Sequence, residues 1–176
     1  MNFSHVIIGG GFAGLSLAHE LILRGLNPSE LLIIDSNTSQ RGSNVPMALV
    51  HPFPGRSLKP APGLKQAWKQ SHVFLEAIAT EVQQPTFSSY LHLIRPFTHN
   101  HGKRLESSFL SHQAILESEF QTTMLDQQDL KSNYPFLKDV VGAIQTPNAQ
   151  RVNLRKICQH LKSKLMQHGV CIIADS

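Results

Sequence analysis

Short apolar runs alternate along the chain with longer segments of helical periodicity. The first run, His5-Val6-Ile7-Ile8, meets Gly9-Gly10-Gly11-Phe12-Ala13-Gly14. Leu17, Ala18 and Leu21 then share one helical face up to Gly25, which predicts a helix over about Phe12–Arg24 with a C-terminal glycine. Asn27-Pro28-Ser29 is a turn. The second run, Leu31-Leu32-Ile33-Ile34, is continuous enough for a buried strand and ends in Asp35.

Ser36–Pro62 is irregular and holds five prolines, with a short apolar run at Met47–Val50. A loop of this length that still carries apolar residues is expected to line a ligand. Leu64, Ala67, Trp68, Phe74, Leu75, Ile78 and Val82 predict a helix of about 20 residues, closed by Pro85, with Trp68 and Phe74 in the core. Tyr90–Arg95 is an expected strand before Pro96, and His99-Asn100-His101 an expected polar turn. Ser111–Phe120 is undecided between helix and strand. Met124–Tyr134 is an expected helix with Asp126 near its start, and Val140–Gln145 an expected strand. Asn153 caps an expected helix with Leu154, Ile157, Cys158, Leu161 and Leu165 as its buried stripe, and Arg155, Lys156, Lys162 and Lys164 form a solvated face. Gly169 ends that helix, and Val170–Ala174 is a third strand expected parallel to the first two.

The fold class that follows is α/β: a Rossmann-like domain with a parallel sheet, interrupted by an inserted mixed α/β segment. The expected division is residues 1–86 and 148–176 for the dinucleotide-binding domain and 87–147 for the insertion, which would cover the cofactor.

The chemistry lies in the first βαβ unit. Gly9 allows a tight turn out of the strand, Gly11 lets a pyrophosphate approach the backbone, and Gly14 lets the helix pack against the strand. The helix N-terminus offers N–H groups and a partial positive charge to phosphates. Asp35 lies 21 positions after Gly14, close to the spacing of about 20 at which an acid accepts from a ribose. The bland alternative is a structural glycine turn, and the βαβ unit alone also fits a nicotinamide-dependent dehydrogenase.

Composition narrows this little. The net charge of +4 suits an anionic cofactor and does not by itself indicate nucleic acid. Two cysteines, Cys158 and Cys171, are too few for a disulfide framework or a zinc site. No apolar run is long enough to span a membrane, and Val6–Ala18 lacks the preceding Lys or Arg of a signal peptide, so a cytoplasmic protein is expected. His99 and His101 have no carboxylate or Cys nearby, and no metal is expected. No Ser/His/Asp or Cys/His constellation and no acid/base pair stands out, so catalytic residues are unknown.

With Gly9-x-Gly11-x-x-Gly14, Gly42-Ser43-Asn44, Ala48-Leu49-Val50-His51-Pro52, Tyr134-Pro135 and Val152-Asn153-Leu154 in view, the chain resembles the N-terminal half of the FAD-dependent oxidoreductases of the D-amino-acid oxidase and glycine oxidase family. It also resembles the flavin domain of a bifunctional tRNA-modifying protein. The resemblance implies an FAD enzyme, an amino-acid-oxidase-like flavoprotein that oxidises the C–N bond of an amino acid or related amine by hydride transfer. It implies that Gly9, Gly11, Phe12, Ala13 and Gly14 contact the pyrophosphate, that Asp35 holds the adenosine ribose, and that Ser36 lies beside the adenosine. Gly42, Ser43 and Asn44 would face the phosphate and ribityl region, with Ala48, Leu49 and Val50 near the isoalloxazine. His51 would reach the substrate side or, as a loop-end histidine, be merely solvated, and Arg41 would screen phosphate charge or lie exposed at the surface. Pro46-Met47 departs from the glycine that many relatives carry before the flavin-contacting run.

Relatives of this family continue for about as many residues again, so the expectation is a truncated or reduced chain. Its open sheet edge predicts aggregation or a partner. The alternatives are a non-catalytic FAD-binding module and the flavin component of a tRNA-modifying system. For the latter, Arg56, Lys59, Lys65 and Lys69 form a loose basic group, but no aromatic platform is evident along the sequence.

Overall fold

The computed structural model describes residues 2–36, 42–53, 55, 57–82 and 88–174. In chain order these form β1 (His5–Ile8), α1 (Phe12–Leu23), β2 (Leu31–Asp35), β3 (Ala48–Val50), α2 (Leu64–Val82), β4 (Ser88–Phe97), α3 (His99–Leu110), α4 (Gln113–Phe120), β5 (Thr123–Leu125), α5 (Gln127–Asn133), β6 (Gly142–Val152), α6 (Leu154–Gln167) and β7 (Cys171–Ala174). They fall into two compact units. The first holds Met1–Ala48, Ile78–Phe87 and Val152–Ser176, and the second Leu49–Ala77 and Ser88–Arg151. Among the described residues no helix is long and apolar enough to cross a membrane.

The first unit is the expected parallel sheet, in the order β1-β2-β7. Ile7, Ile33 and Ile172 stand in one row across it, and Ile8, Ile34 and Ile173 in the next. Because side chains alternate across a strand, Leu31, Ile33 and Asp35 share one face, and all three are buried. α1 and α6 pack together, with Leu15 and Ala18 of α1 and Ile157, Leu161 and Leu165 of α6 buried. The other row stays open: Ile8 is 86% exposed and Ile173 44%. Gly25, at φ +95°, ends α1 as its C-terminal glycine should, and the Leu26 N–H returns to the Leu21 carbonyl at 3.0 Å. Asn153 caps α6 as expected, its side chain accepting from the Lys156 N–H at 3.1 Å. Cys158 is half-buried rather than buried.

The second unit is built on a sheet of order β3-β6-β4, with β5 antiparallel to β6. Its core joins Phe53, Leu58, Phe97, Phe109, Leu116, Phe120 and Ile144, with Leu64 and Trp68 packed against it. Phe53 and Phe120 meet edge to face at 5.0 Å. These contacts explain why residues 49–77, expected with the cofactor domain, cluster here: the first turns of α2 and the segment before it supply part of this core.

Several local expectations change. His99-Asn100-His101 opens α3 rather than forming a turn. The polar start hides a stripe that becomes apolar only at Leu105 and Phe109. Gly102 is required in that first turn, because a Cβ would stand 2.6 Å from the Phe97 ring. Ser111–Phe120 resolves into α4, from Gln113. The expected helix at Met124–Tyr134 is shorter: Thr123–Leu125 pairs with β6, and Asp126 caps α5 in a reciprocal capping box with Asp129. β6 continues past Gln145 to Val152, passing Asn148 in the left-handed region at φ +59°. β4 runs through Pro96, which an edge strand tolerates. Pro85 lies outside the described residues.

Candidate cofactor site in the glycine turn

The turn between β1 and α1 is shaped by backbone that approaches too closely for side chains. Gly9 has φ +103°, and its N–H donates to the Ile34 carbonyl at 2.8 Å, tying the turn to β2. A Cβ on Gly14 would stand 1.9 Å from the Gly9 carbonyl oxygen and 3.2 Å from Ile7 Cγ2. That is the close helix–strand packing the third glycine was expected to allow. A Cβ on Gly11 would meet the Ser43 hydroxyl oxygen at 3.0 Å.

Asp35 is 5% exposed, at the end of β2. Its Oδ1 accepts from the Gly10 N–H at 3.0 Å, and a Cβ on Gly10 would stand 2.6 Å from the Asp35 Cγ. Gly10 is thus a site residue that sequence reasoning passed over. It is the x between two motif glycines, and the signal lay in its being the middle of three consecutive glycines. The bond orients the carboxylate against the turn.

The first N–H groups of α1 have no partner inside the helix, and Gly11, at its start, supplies no side-chain cap. The Ser43 hydroxyl accepts the Phe12 N–H at 2.9 Å, so Gly42–Asn44 lies beside the helix start. This single turn is held from α6: Arg155 Nε donates to the Asn44 carbonyl at 2.9 Å and the Arg155 N–H to that of Val45 at 3.3 Å. Arg155 was expected only on a solvated face. Nothing in its spacing along α6 reveals a partner 111 residues earlier.

The first unit therefore brings Gly14 against Gly9, Gly11 and Phe12 against Ser43, and Asp35 against Gly10, with Ala13 in the first turn of α1, Asn44 on the Arg155-held turn and Ser36 exposed directly after Asp35. Gly42 begins the same turn, and Ala48 belongs to this unit. A dinucleotide fits this cradle. The backbone is bare where a pyrophosphate would lie, a helix start faces it, and a buried carboxylate ends the second strand. Arg41 lies outside the described residues.

Leu49, Val50 and His51 belong to the second unit. His51 is half-buried and its Nδ1 has no hydrogen-bond partner among the described residues. Burial, and then the positive charge of Arg95, hold its pKa below 6.5, so the neutral imidazole is favoured. Arg95 donates to the Phe53 carbonyl at 3.2 Å and to that of Gly55. In the basic group, Lys65 pairs with Glu119 at 3.3 Å, and Arg56 lies outside the described residues. Among the described residues no three His, Cys, Asp or Glu gather as a metal site.

A sequence model of the FAD dependent oxidoreductase family matches residues 4–176. Comparison with curated protein sequences gave no significant match. Among solved structures, glycine oxidase from Geobacillus kaustophilus superposes with a TM-score of 0.77 at 17% identity, over 98% of this chain and 46% of that one. Glycine oxidase from Bacillus cereus gives 0.74 at 17% identity, over 98% and 46%. Iminodiacetate oxidase from Chelativorans sp. gives 0.70 at 18% identity, over 98% and 47%. At these identities the likeness is one of fold. The chain spans a little under half the length of the solved structures it matches.

Proposed function

Because the chain belongs to the family of FAD-dependent oxidoreductases, we propose that it oxidises the C–N bond of an amino acid or a related amine by hydride transfer to flavin. The observation that carries this reading is the turn in which Gly11 leaves the backbone bare for a pyrophosphate and Gly14 lets the helix pack on the strand, while Asp35 is held against Gly10. Bound FAD would supply the chemistry itself, as acceptor of the hydride from the carbon beside the nitrogen. The neighbours named glycine oxidase and iminodiacetate oxidase support an amino-acid or imino-acid substrate.

In this reading the chain's own residues bind and orient. The N–H groups at the start of α1 and the backbone of Gly9, Gly11 and Gly14 would border the diphosphate, with Phe12 and Ala13 beside it. Asp35 would accept from the adenosine ribose and Ser36 would border the adenosine. Ser43, whose hydroxyl accepts the Phe12 N–H, would lie beside the phosphates. By the family resemblance, Gly42, Ser43 and Asn44 would face the phosphate and ribityl region, Ala48, Leu49 and Val50 would lie near the flavin ring, and His51, its pKa lowered by burial, would reach the substrate side.

The test is anaerobic mixing of the FAD-loaded chain with a panel of amino acids and N-methyl amino acids. Loss of the oxidised flavin absorbance with one of them is expected. Stable retention of oxidised flavin with every amine would overturn the proposed activity for this chain.

A further inference from the structure

We propose that the second unit carries a binding site of its own, for a planar heteroaromatic ring bearing an anionic group, in the hollow between Trp68, His72 and Tyr90. Sequence inspection found no aromatic platform, because these residues come from α2 and β4 and meet only in the fold. Trp68 and His72 stand edge to face with ring centres 4.3 Å apart at 87°. His72 and Tyr90 are stacked at 5.6 Å and 15°. The cavity they form with Lys69, Val73 and Asn148 is open and about 430 Å³, the size of a small-molecule site, which spans about 300–1,000 Å³.

Three features distinguish this hollow from ordinary core packing. Tyr90 is 53% exposed and Val73 60%, so among the described residues aromatic and apolar surface is left open at the cavity. The Tyr90 ring is nonetheless fixed, since its hydroxyl donates to Glu76 Oε1. A fixed, exposed aromatic face is what a stacking ligand needs. Second, the His72 Nδ1 is buried without a hydrogen-bond partner. A buried polar atom left without a partner is destabilising, so the imidazole that lines the hollow has a polar edge the described residues do not satisfy. Third, Asn148 lines the cavity at φ +59°, in the middle of a strand. Left-handed backbone at a non-glycine residue is strained and concentrates at ligand clamps.

The chemistry of the lining selects the ligand class. Stacking asks for a flat ring, while the imidazole and the Asn148 carboxamide ask for polar ring edges. Lys69 is a cation on the cavity wall, no carboxylate lines the cavity among the described residues, and Glu76, one turn beyond His72 on α2, is engaged by Tyr90. A nucleotide and a heteroaromatic carboxylate share these features, and AMP and nicotinate separate the two sources.

Trp68 is the single tryptophan, so its emission reports on this cavity. AMP and nicotinate are titrated separately into the chain saturated with FAD, with excitation at the red edge of the tryptophan band. Saturable quenching by one or both is expected; the tighter of the two identifies the source. Tyr90→Ala should weaken it about tenfold, the usual scale for losing one aromatic face. Tyr90→Phe keeps the face and loses only the bond to Glu76, so it should weaken the ligand clearly less than Tyr90→Ala does, which separates lost stacking from lost folding. Lys69→Ala should weaken the ligand's hold several-fold, and Asp35→Ala should leave it unchanged. Absence of quenching by both probes, or quenching that survives Tyr90→Ala and disappears in Asp35→Ala, would overturn the assignment.

Discussion

The two units of this chain achieve definite geometry by opposite means. In the first, position is set by atoms that are missing: Gly10, Gly11 and Gly14 lie where a Cβ would press on Asp35, Ser43 and the Gly9 carbonyl. In the second, position is set by atoms that are present, chiefly the rings of Phe53, Phe97, Phe109 and Phe120 packed with Leu58, Leu116 and Ile144. A backbone cradle cannot yield to an added methyl without the strand or helix moving, whereas a side-chain core can repack around small changes.

The sharpest way to break the contrast is Gly14→Ala. Its methyl would overlap a backbone oxygen at 1.9 Å, so the βαβ unit must open. We expect loss of FAD retention together with destabilisation of about 3 kcal/mol or more, the upper end for overpacking, read by flavin release and denaturant unfolding. Phe109→Ala, at a position 1% exposed, should cost about 3–5 kcal/mol through the cavity it leaves. Amide hydrogen exchange should show that loss beginning in the second unit. Equal loss of protection over His5–Asp35 and over the Phe109 core would erase the distinction between the units.

A subtler test addresses the carboxylate. Asp35→Ala removes a buried acceptor from the Gly10 N–H. It should weaken FAD about tenfold, within the cost of about 1–3 kcal/mol for an unsatisfied buried donor plus the lost ribose contact.

Acid should act on both units. His19 in the first and His51 and His72 in the second have pKa values lowered from 6.5, in each case first by burial. Their folded forms bind fewer protons than the unfolded chain, so their contribution is present above 6.5 and is lost as pH falls below it. Glu81 is lowered from 4.5, first by the hydrogen bond from Lys164 and then by that from His160. Its contribution survives to lower pH and is lost only below 4.5. The melting temperature should therefore fall steadily from neutral toward about pH 5. A flat profile there would contradict the neutral, half-buried imidazoles. The smallest effect is expected from Arg155→Ala, whose exposed bond to the Asn44 carbonyl should be worth about 1 kcal/mol or less. A modest loss of FAD affinity should accompany it if the Gly42–Asn44 turn belongs to the site.

The same contrast explains what could be read along the chain. The first unit was legible because its strands are uninterrupted apolar runs and its glycines are dictated by close approach, both local properties. The role of Gly10 was not legible, since it depends on where β2 delivers Asp35. Arg155 looked like one more cation on a solvated face for the same reason. In the second unit, α3 was hidden behind His99-Asn100-His101, and β6 was cut short at Gln145 because Pro147 and Asn148 mimic a turn. Tyr90 meets His72 only once α2 and β4 are folded together, so the aromatic hollow left no trace in the order of residues.

The central claim, that the glycine turn with Asp35 is an FAD site, is tested most directly by titrating the purified chain with FAD and following flavin fluorescence, beside the Asp35→Ala variant checked for folding by circular dichroism. Saturable quenching by the parent chain that weakens about tenfold in a folded variant is the expected result. A folded parent chain that leaves FAD fluorescence unchanged, or a variant that binds as tightly as the parent, would contradict it.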